Sequence, residues 1–212
     1  MKISELASRS ETPLSAVKYY QREGLLPLGK KTAPNQTDYG QEHVQRVRLI
    51  RALLGAGGLT IAATKQVIWI LDNAPLAEAF EAVLSAMSTS RPNDADPSPE
   101  SRERIMELAR SQGWAFTEAN PGINAAARAL DGLATGGFTA PRGYLESYAA
   151  AAATAANADL QQLRKLSAPE QITERMVVGT VLGDPLFAGL RRIAQQNATQ
   201  ESFPQTWEVP SQ

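Results

Sequence analysis

Apolar positions in the first 72 residues recur at helical spacing. In "ISELASRS", Ile3, Leu6 and Ala7 share one face, which predicts a short helix. The next stretch, "ETPLSAVKYYQREG", predicts a second helix. Thr12 is its expected N-cap and Pro13 its expected first helical residue. Gly24 is the expected stop, because glycine enters the left-handed region without a Cβ penalty. Two helices joined by a turn of roughly three residues form a helix-turn-helix outline. Residues 25–40, "LLPLGKKTAPNQTDYG", hold Pro27, Gly29, Pro34 and Gly40 and cannot be helical. Two short extended pieces around a basic, polar tip predict a wing hairpin. Helical spacing returns in "QEHVQRVRLIRALLGAGG", with Val44, Val47, Ile50 and Leu54 inward and Arg48 and Arg51 elsewhere. Gly55, Gly57 and Gly58 end that helix. Thr60 caps the next, "IAATKQVIWILDN", which buries Ile61, Val67 or Ile68, and Leu71.

A further helix is expected over 75–87, with Leu76, Phe80, Val83, Leu84 and Met87 at heptad-like spacing. Residues 88–100, "STSRPNDADPSPE", read as a linker, rich in proline and polar throughout. Helices are then expected near 100–112, 122–135, 142–166, 169–183 and 185–198. The alanine-biased "YAAAAATAANADL" reads as helix, alanine being the best helix former. The predicted fold is mainly α: an N-terminal winged helix-turn-helix domain followed by an all-helical C-terminal domain. The division is 1–72 for the winged domain, 73–99 for connecting helix and linker, 100–200 for a helical dimerisation and effector domain, and 201–212 for a loose tail. The most apolar stretch is "ERMVVGTVLGDPLFAGLRRIA". Met176, Val177, Val178, Val181 and Leu182 leave it little polar face, so burial on most sides is expected. Gly179 and Gly183 are spaced for close helix approach. Three readings stay open for them: intramolecular core, dimer interface, or pocket lining.

Composition narrows the function. The chain has 212 residues, 43% hydrophobic and 20% charged, ordinary for a globular protein. Cysteine is absent, which removes disulfides, thiolate metal sites and a thiol nucleophile. The lone histidine, His43, is too few for a histidine metal site. No apolar run reaches the ~18–20 residues of a membrane span, and "MKISELASRS" lacks the apolar core of a signal peptide. The expected location is the cytoplasm, with no membrane partner. The net charge of -1 hides an asymmetry: residues 1–68 carry +5 and the remainder -6. A basic first third points to a polyanion as partner. There is no nucleophile–base pair, metal-ligand spacing or phosphate loop, so an enzyme is not expected and no cofactor is assigned.

The chemistry concentrates in "VKYYQREGLLPLG". On a helical wheel Leu14 and Val17 mark the buried side, and Tyr20 points nearer the core. Ser15, Lys18, Tyr19 and Arg22 share the polar face. These residue types grip phosphate and reach base edges.

The segment from Ile3 to Val67 resembles the winged-helix DNA-binding domain of the mercury-resistance regulator (MerR) family. The residues that carry the resemblance are "ISELASRS", "VKYYQREGLLP", a polar hairpin ending in Tyr39, and "HVQRVRLIRALLGAGGLTIAATKQVI". The resemblance covers about the first third of the chain. It implies that Ser15 and Ala16 open the second helix into the major groove, with Lys18 and Tyr19 following. Lys18 stands where the family usually has arginine; it keeps the charge but loses the bidentate fork. The wing maps onto Lys30, Lys31, Asn35, Gln36, Thr37 and Tyr39. Thr37 sits where arginine is expected and Asp38 adds a negative charge, so Lys30, Lys31 and Asn35 are the candidates to replace that arginine's phosphate contact. The loop before Thr60 resembles a second wing, whose amides meet phosphate near a helix N-terminus. Ser15 and Ala16 are small, so direct base readout should be modest, with DNA shape contributing. The resemblance further implies a homodimer on an inverted-repeat promoter site of double-stranded DNA, with RNA polymerase as a partner. Relatives dimerise through one long helix after the winged domain. Here that helix, 75–87, ends early, leaving assembly to the C-terminal helices.

A small organic effector of apolar character is the expected ligand class, with Trp114, Phe116, Phe138, Tyr144 and Tyr148 as candidate lining residues. The competing reading is a protein-interaction module on a helix-turn-helix scaffold with weak or no DNA binding. A steep loss of binding with salt separates the two.

Overall fold

A computed structural model describes residues 1–33, 36–74, 82–87 and 95–202. Helix α1 (Ile3–Arg9) and helix α2 (Leu14–Arg22) are followed by the wing strands β1 (Lys30–Ala33) and β2 (Gln36–Asp38). Helices α3 (Gln41–Leu54) and α4 (Ile61–Asn73) come next, then a helical segment α5 at residues 82–87. The remainder is α6 (Pro99–Ser111), α7 (Pro121–Thr135), α8 (Tyr144–Leu163) and α9 (Pro169–Ser202). The mainly α architecture, with an N-terminal winged helix-turn-helix and helices thereafter, is the one expected. Helix 75–87 and the 88–100 linker lie partly outside the described residues, as do Asn35 and the tail beyond Ser202.

Helix α2 begins one residue later than expected. Pro13, with extended backbone, is its N-cap, and Thr12 does not cap it. The Thr12 side chain is buried and its hydroxyl donates to the Ser10 carbonyl at 3.0 Å, which withdraws it from the helix. Leu14 therefore sits in the first turn at the rim and is exposed rather than buried. The α1–α2 turn holds Glu11 at φ 52, a left-handed conformation that costs a non-glycine residue energy. Arg51 of α3 reaches back and donates to the carbonyls of Ser10 (3.0 Å) and Glu11 (2.8 Å), holding the turn in place. At the other end Gly24 takes φ +73 and closes α2 as predicted.

Helix α3 starts with the lone histidine: the Gly40 N–H donates to His43 Nδ1 at 3.0 Å. Thr60 caps α4, its hydroxyl accepting from the Ala63 N–H at 3.1 Å. Ser98 caps α6 and Asn120 caps α7, each followed by a proline in the first turn. Ser98 does more than cap. Its N–H and hydroxyl both donate to Asp131 of α7, at 2.7 and 2.6 Å, and the Ser101 hydroxyl adds a third bond at 2.6 Å. These bonds hold the Asp131 carboxyl below its ordinary range, Ser101 contributing most.

The core lies under the winged domain. Leu6, Val17, Val44, Val47, Ile50, Leu53 and Val67 are fully buried there, with Val83 of α5 among them. Two members of the same core come from far along the chain: Val177 and Val181 of α9. Helix α9 packs against α3 and α4. Gly57 marks the contact: a Cβ there would collide with Val181 Cγ1 and lie 2.7 Å from the Leu53 carbonyl. Met176, Val178 and Leu182 are only partly buried, so the apolar stretch is covered on one side rather than most. Helices α6 and α7 form a second, smaller layer around Met106, Ala109, Ile123, Ala127 and Leu130, with Ala149 the buried residue of α8.

The expected break at residue 184 does not occur; α9 runs through Pro185 as a single helix of 34 residues. Proline removes one backbone donor, which ordinarily kinks or ends a helix. Helix α8 runs beside the junction. A Cβ at Gly183 would lie 3.9 Å from Asp159 Oδ2, and Arg191 donates to the Tyr148 hydroxyl. Among the described residues a Cβ at Gly179 would meet nothing within 4 Å, so the Gly179–Gly183 pair is not used for a close helix approach there.

Candidate nucleic-acid interface

Helix α2 presents the predicted face. Ser15, Lys18 and Arg22 are exposed, and Ala16 and Tyr19 half-buried beside them. Val17 and Tyr20 point into the core. The Arg22 guanidinium lies 5.2 Å from the centroid of the Tyr19 ring, and Tyr19 meets Tyr20 edge-on at 6.2 Å. The buried tyrosine thus backs the presented one, and the presented one carries an arginine over its face. This resolves why two tyrosines stand together: one packs and one is displayed.

The wing is a two-stranded antiparallel hairpin in which Lys30 pairs with Asp38, Lys31 with Thr37, and Ala33 with Gln36. Lys30 and Lys31 are exposed and Thr37 half-buried. Asp38 faces Lys30 across the ladder, so its negative charge has a basic neighbour on the adjoining strand. Gly29 lets the chain pass close to β2, since a Cβ there would collide with the Asp38 carbonyl. Tyr39 is buried at 7% exposure. Its hydroxyl accepts from Gln21 Nε2 at 2.8 Å, and its ring meets His43 edge-on at 5.2 Å. It ties the wing to α2 and α3 and sets where the strands stand relative to the displayed face. Asn35 lies outside the described residues, and the Gln36 side chain with it.

The arginines of α3 are largely committed elsewhere. Arg48 donates to the Arg9 carbonyl at 2.9 Å, Arg51 holds the α1–α2 turn, and Arg46 pairs with Asp72 of α4. Lys65 pairs with Glu23 at 2.9 Å. Much of the N-terminal charge excess therefore braces the fold. Thr60, exposed at the start of α4, spends its hydroxyl on its own helix. These partners are distant in sequence, and no local signal announces them.

Residues 1–68 match the family model described as MerR HTH family regulatory protein. The N-terminal third is a MerR-family helix-turn-helix domain. Over 50 residues it is 38% identical to the HTH-type transcriptional regulator ZntR homolog of Haemophilus influenzae. That match spans 24% of this chain and 37% of the relative. The whole chain is similar in fold to the solved structure of SCO5550 from Streptomyces coelicolor A3(2), assigned as a transcriptional regulator. The TM-score is 0.74 at 24% identity, covering 98% of this chain and 100% of that one. PbrR691 of Ralstonia metallidurans CH34, solved with lead(II), aligns at a TM-score of 0.37 and 27% identity. It covers 59% of this chain and 97% of its own.

Outside the MerR-family domain, the five aromatics expected to gather do so only in part. Phe138 and Tyr144 lie 5.3 Å apart, and Tyr144 and Tyr148 4.8 Å. Arg191 caps this row, 5.1 Å from the Tyr148 centroid. The Tyr144 hydroxyl donates to Tyr148 at 3.1 Å, which pushes its pKa up. Trp114 and Phe116 stand outside the row, Trp114 exposed and Phe116 half-buried. Sequence reasoning missed Trp69, which is 64% exposed on α4 and overhangs a groove bordered by Lys65, Ala82 and Ala86. An apolar ring in an amphipathic helix reads as core, so its position on the wheel was the only available signal.

Proposed function

We propose that the chain is a DNA-binding transcription regulator that acts as a homodimer on an inverted-repeat promoter site. Helix α2 enters the major groove with Ser15 and Ala16 leading, Lys18 and Tyr19 behind them, and Arg22 near the backbone. Lys30, Lys31, Asn35, Gln36 and Thr37 form the wing contact, positioned by Tyr39, and the loop before Thr60 approaches phosphate through its amides. The observation that supports this best is the face of exposed Ser15, Lys18 and Arg22 around half-buried Tyr19, with a lysine-bearing wing beside it. With small residues leading, base discrimination leans on DNA shape. The protein works by binding rather than catalysis, in the cytoplasm, at promoters used by RNA polymerase. Any effector is an apolar organic molecule that meets the Phe138–Tyr144–Tyr148 row.

The test is fluorescence anisotropy of the full chain on DNA from upstream of its own gene, titrated with salt. Saturable binding to one inverted-repeat fragment, weakening steeply as salt rises, is expected from counterion release. Equal, salt-insensitive binding to every fragment, or none, would favour the protein-interaction reading.

A further inference from the structure

Helix α1 stops in a way its own sequence does not favour. Its C-cap is Ser10, and Glu11 follows at φ 52. The Glu11 N–H donates to the Ser8 carbonyl at 3.0 Å and the Thr12 N–H to the Ala7 carbonyl at 2.9 Å. Those two bonds make a Schellman ending, whose left-handed position glycine usually fills. Helix α2 ends the same way with a glycine in place. Gly24, at φ +73, donates to the Gln21 carbonyl at 3.0 Å, and the Leu25 N–H to the Tyr20 carbonyl at 2.9 Å. Among the described residues Glu11 is the one non-glycine with positive φ. Its Cβ makes that conformation unfavourable on its own.

The restraint comes from α3. The ending satisfies the carbonyls of Ala7 and Ser8 and leaves the next three. Arg48 donates to the Arg9 carbonyl at 2.9 Å, and Arg51 Nη1 donates to those of Ser10 and Glu11 at 3.0 and 2.8 Å. Two guanidiniums one turn apart on α3 thus meet three successive carbonyls at the negative end of α1. The far side of α3 is fixed, since Val44, Val47, Ile50 and Leu53 are fully buried. The near side leads straight into the reading helix: Leu14 opens α2 three residues after Glu11, and Ser15 and Ala16 follow. A rotation at this turn therefore swings all of α2. Exposed arginines in a DNA-binding domain ordinarily read as phosphate contacts. These two are exposed, yet their donors are spent on the turn.

We infer that Arg48 and Arg51 are positioning residues for DNA binding. They hold the strained Glu11 turn and so set the angle at which α2 meets the major groove, without contacting DNA themselves. This rests on the regulator reading above and names what aims its reading helix.

The test measures anisotropy of the full chain on its inverted-repeat fragment across a salt series. Arg51→Ala should weaken binding about tenfold at every salt concentration, the size of a charge-assisted hydrogen bond lost. The salt slope should stay that of the wild type. A slope shallower by about one would mean that Arg51 neutralises a phosphate, and would overturn the inference. Glu11→Gly supplies the residue the turn prefers, so adding Arg51→Ala to it should cost much less than tenfold. Comparison with Glu11→Gly alone cancels the effect of the lost carboxylate. An equal loss in both backgrounds, or unchanged affinity in Arg51→Ala, would also overturn it. Circular dichroism checks that each variant is folded; should Arg51→Ala fail to fold, Arg48→Ala carries the same slope test with a smaller loss. Wild-type protein with no salt-sensitive binding would sink the regulator reading and this role with it. Salt-sensitive wild-type binding with a shallower Arg51→Ala slope would sink the positioning role alone.

Discussion

The winged domain and the C-terminal helices are built to different standards. In the first, short helices surround a core of fully buried Leu6, Val17, Val47, Ile50 and Leu53, and its arginines tie turns and helix ends together. In the second, the longest helices of the described chain have the least to bury, and α9 borrows its best contacts from the winged core. The difference teaches that length of helix is no measure of stability. Helical stability in water comes mostly from packing an apolar face, and α8 and α9 find much of theirs outside their own layer.

The comparison breaks first at Ile50 and Leu130. Ile50→Ala should cost about 2–5 kcal/mol in denaturant unfolding, because it opens a cavity in the closed core. Leu130→Ala, in the smaller α6–α7 layer, should cost less. Equal losses would mean the two layers are packed alike. Next in size is Gly57→Ala, expected to cost about 1–3 kcal/mol through overpacking against Val181 and the Leu53 carbonyl. Its effect should shrink in a chain ending at residue 168, which lacks Val181 but keeps the Leu53 carbonyl, and which should itself melt earlier than the full chain. An undiminished effect would place the strain within the α3–α4 loop alone.

Lys18→Ala and Tyr19→Ala should each weaken DNA binding by about 1–3 kcal/mol while leaving the melting temperature nearly unchanged. Unchanged affinity for both would show that the displayed face of α2 is not the reading surface. The smallest effect concerns Asp131. Its carboxyl is held below the ordinary aspartate range by Ser101 and Ser98. The bonded carboxylate therefore stabilises the fold above the unfolded value of about 3.9. That contribution fades as pH falls through the lower folded value. Asp131→Asn should lower the melting temperature at pH 7, and the gap to wild type should narrow in acid. A gap that widens in acid would contradict this assignment.

What the sequence disclosed follows the same divide. The displayed face of α2, the Gly24 stop and the wing were legible because glycine, proline and a single helical wheel settle them locally. Tyr20 against Tyr19 was legible for the same reason. The work of Arg46, Arg48 and Arg51 was not, since their partners are brought near only by folding. Tyr39 was read as part of the wing contact; its burial and its bond from Gln21 of another element had no local signal. Two helices were expected over 169–183 and 185–198, and one continuous helix runs through both, Pro185 included. Val177 and Val181 were recognisably apolar, but nothing in their neighbourhood named the core they would enter.

Gly57 carries a lesson for anyone who would treat the first 68 residues as a portable cassette. The loop it occupies is moulded to a helix encoded more than a hundred residues later, and Val181 fills the space a side chain would need. Grafted onto a foreign body, the cassette would arrive with an uncovered socket. A working chimera should carry residues 169–182 along with it, or replace Val177 and Val181 with a new plug of the same shape.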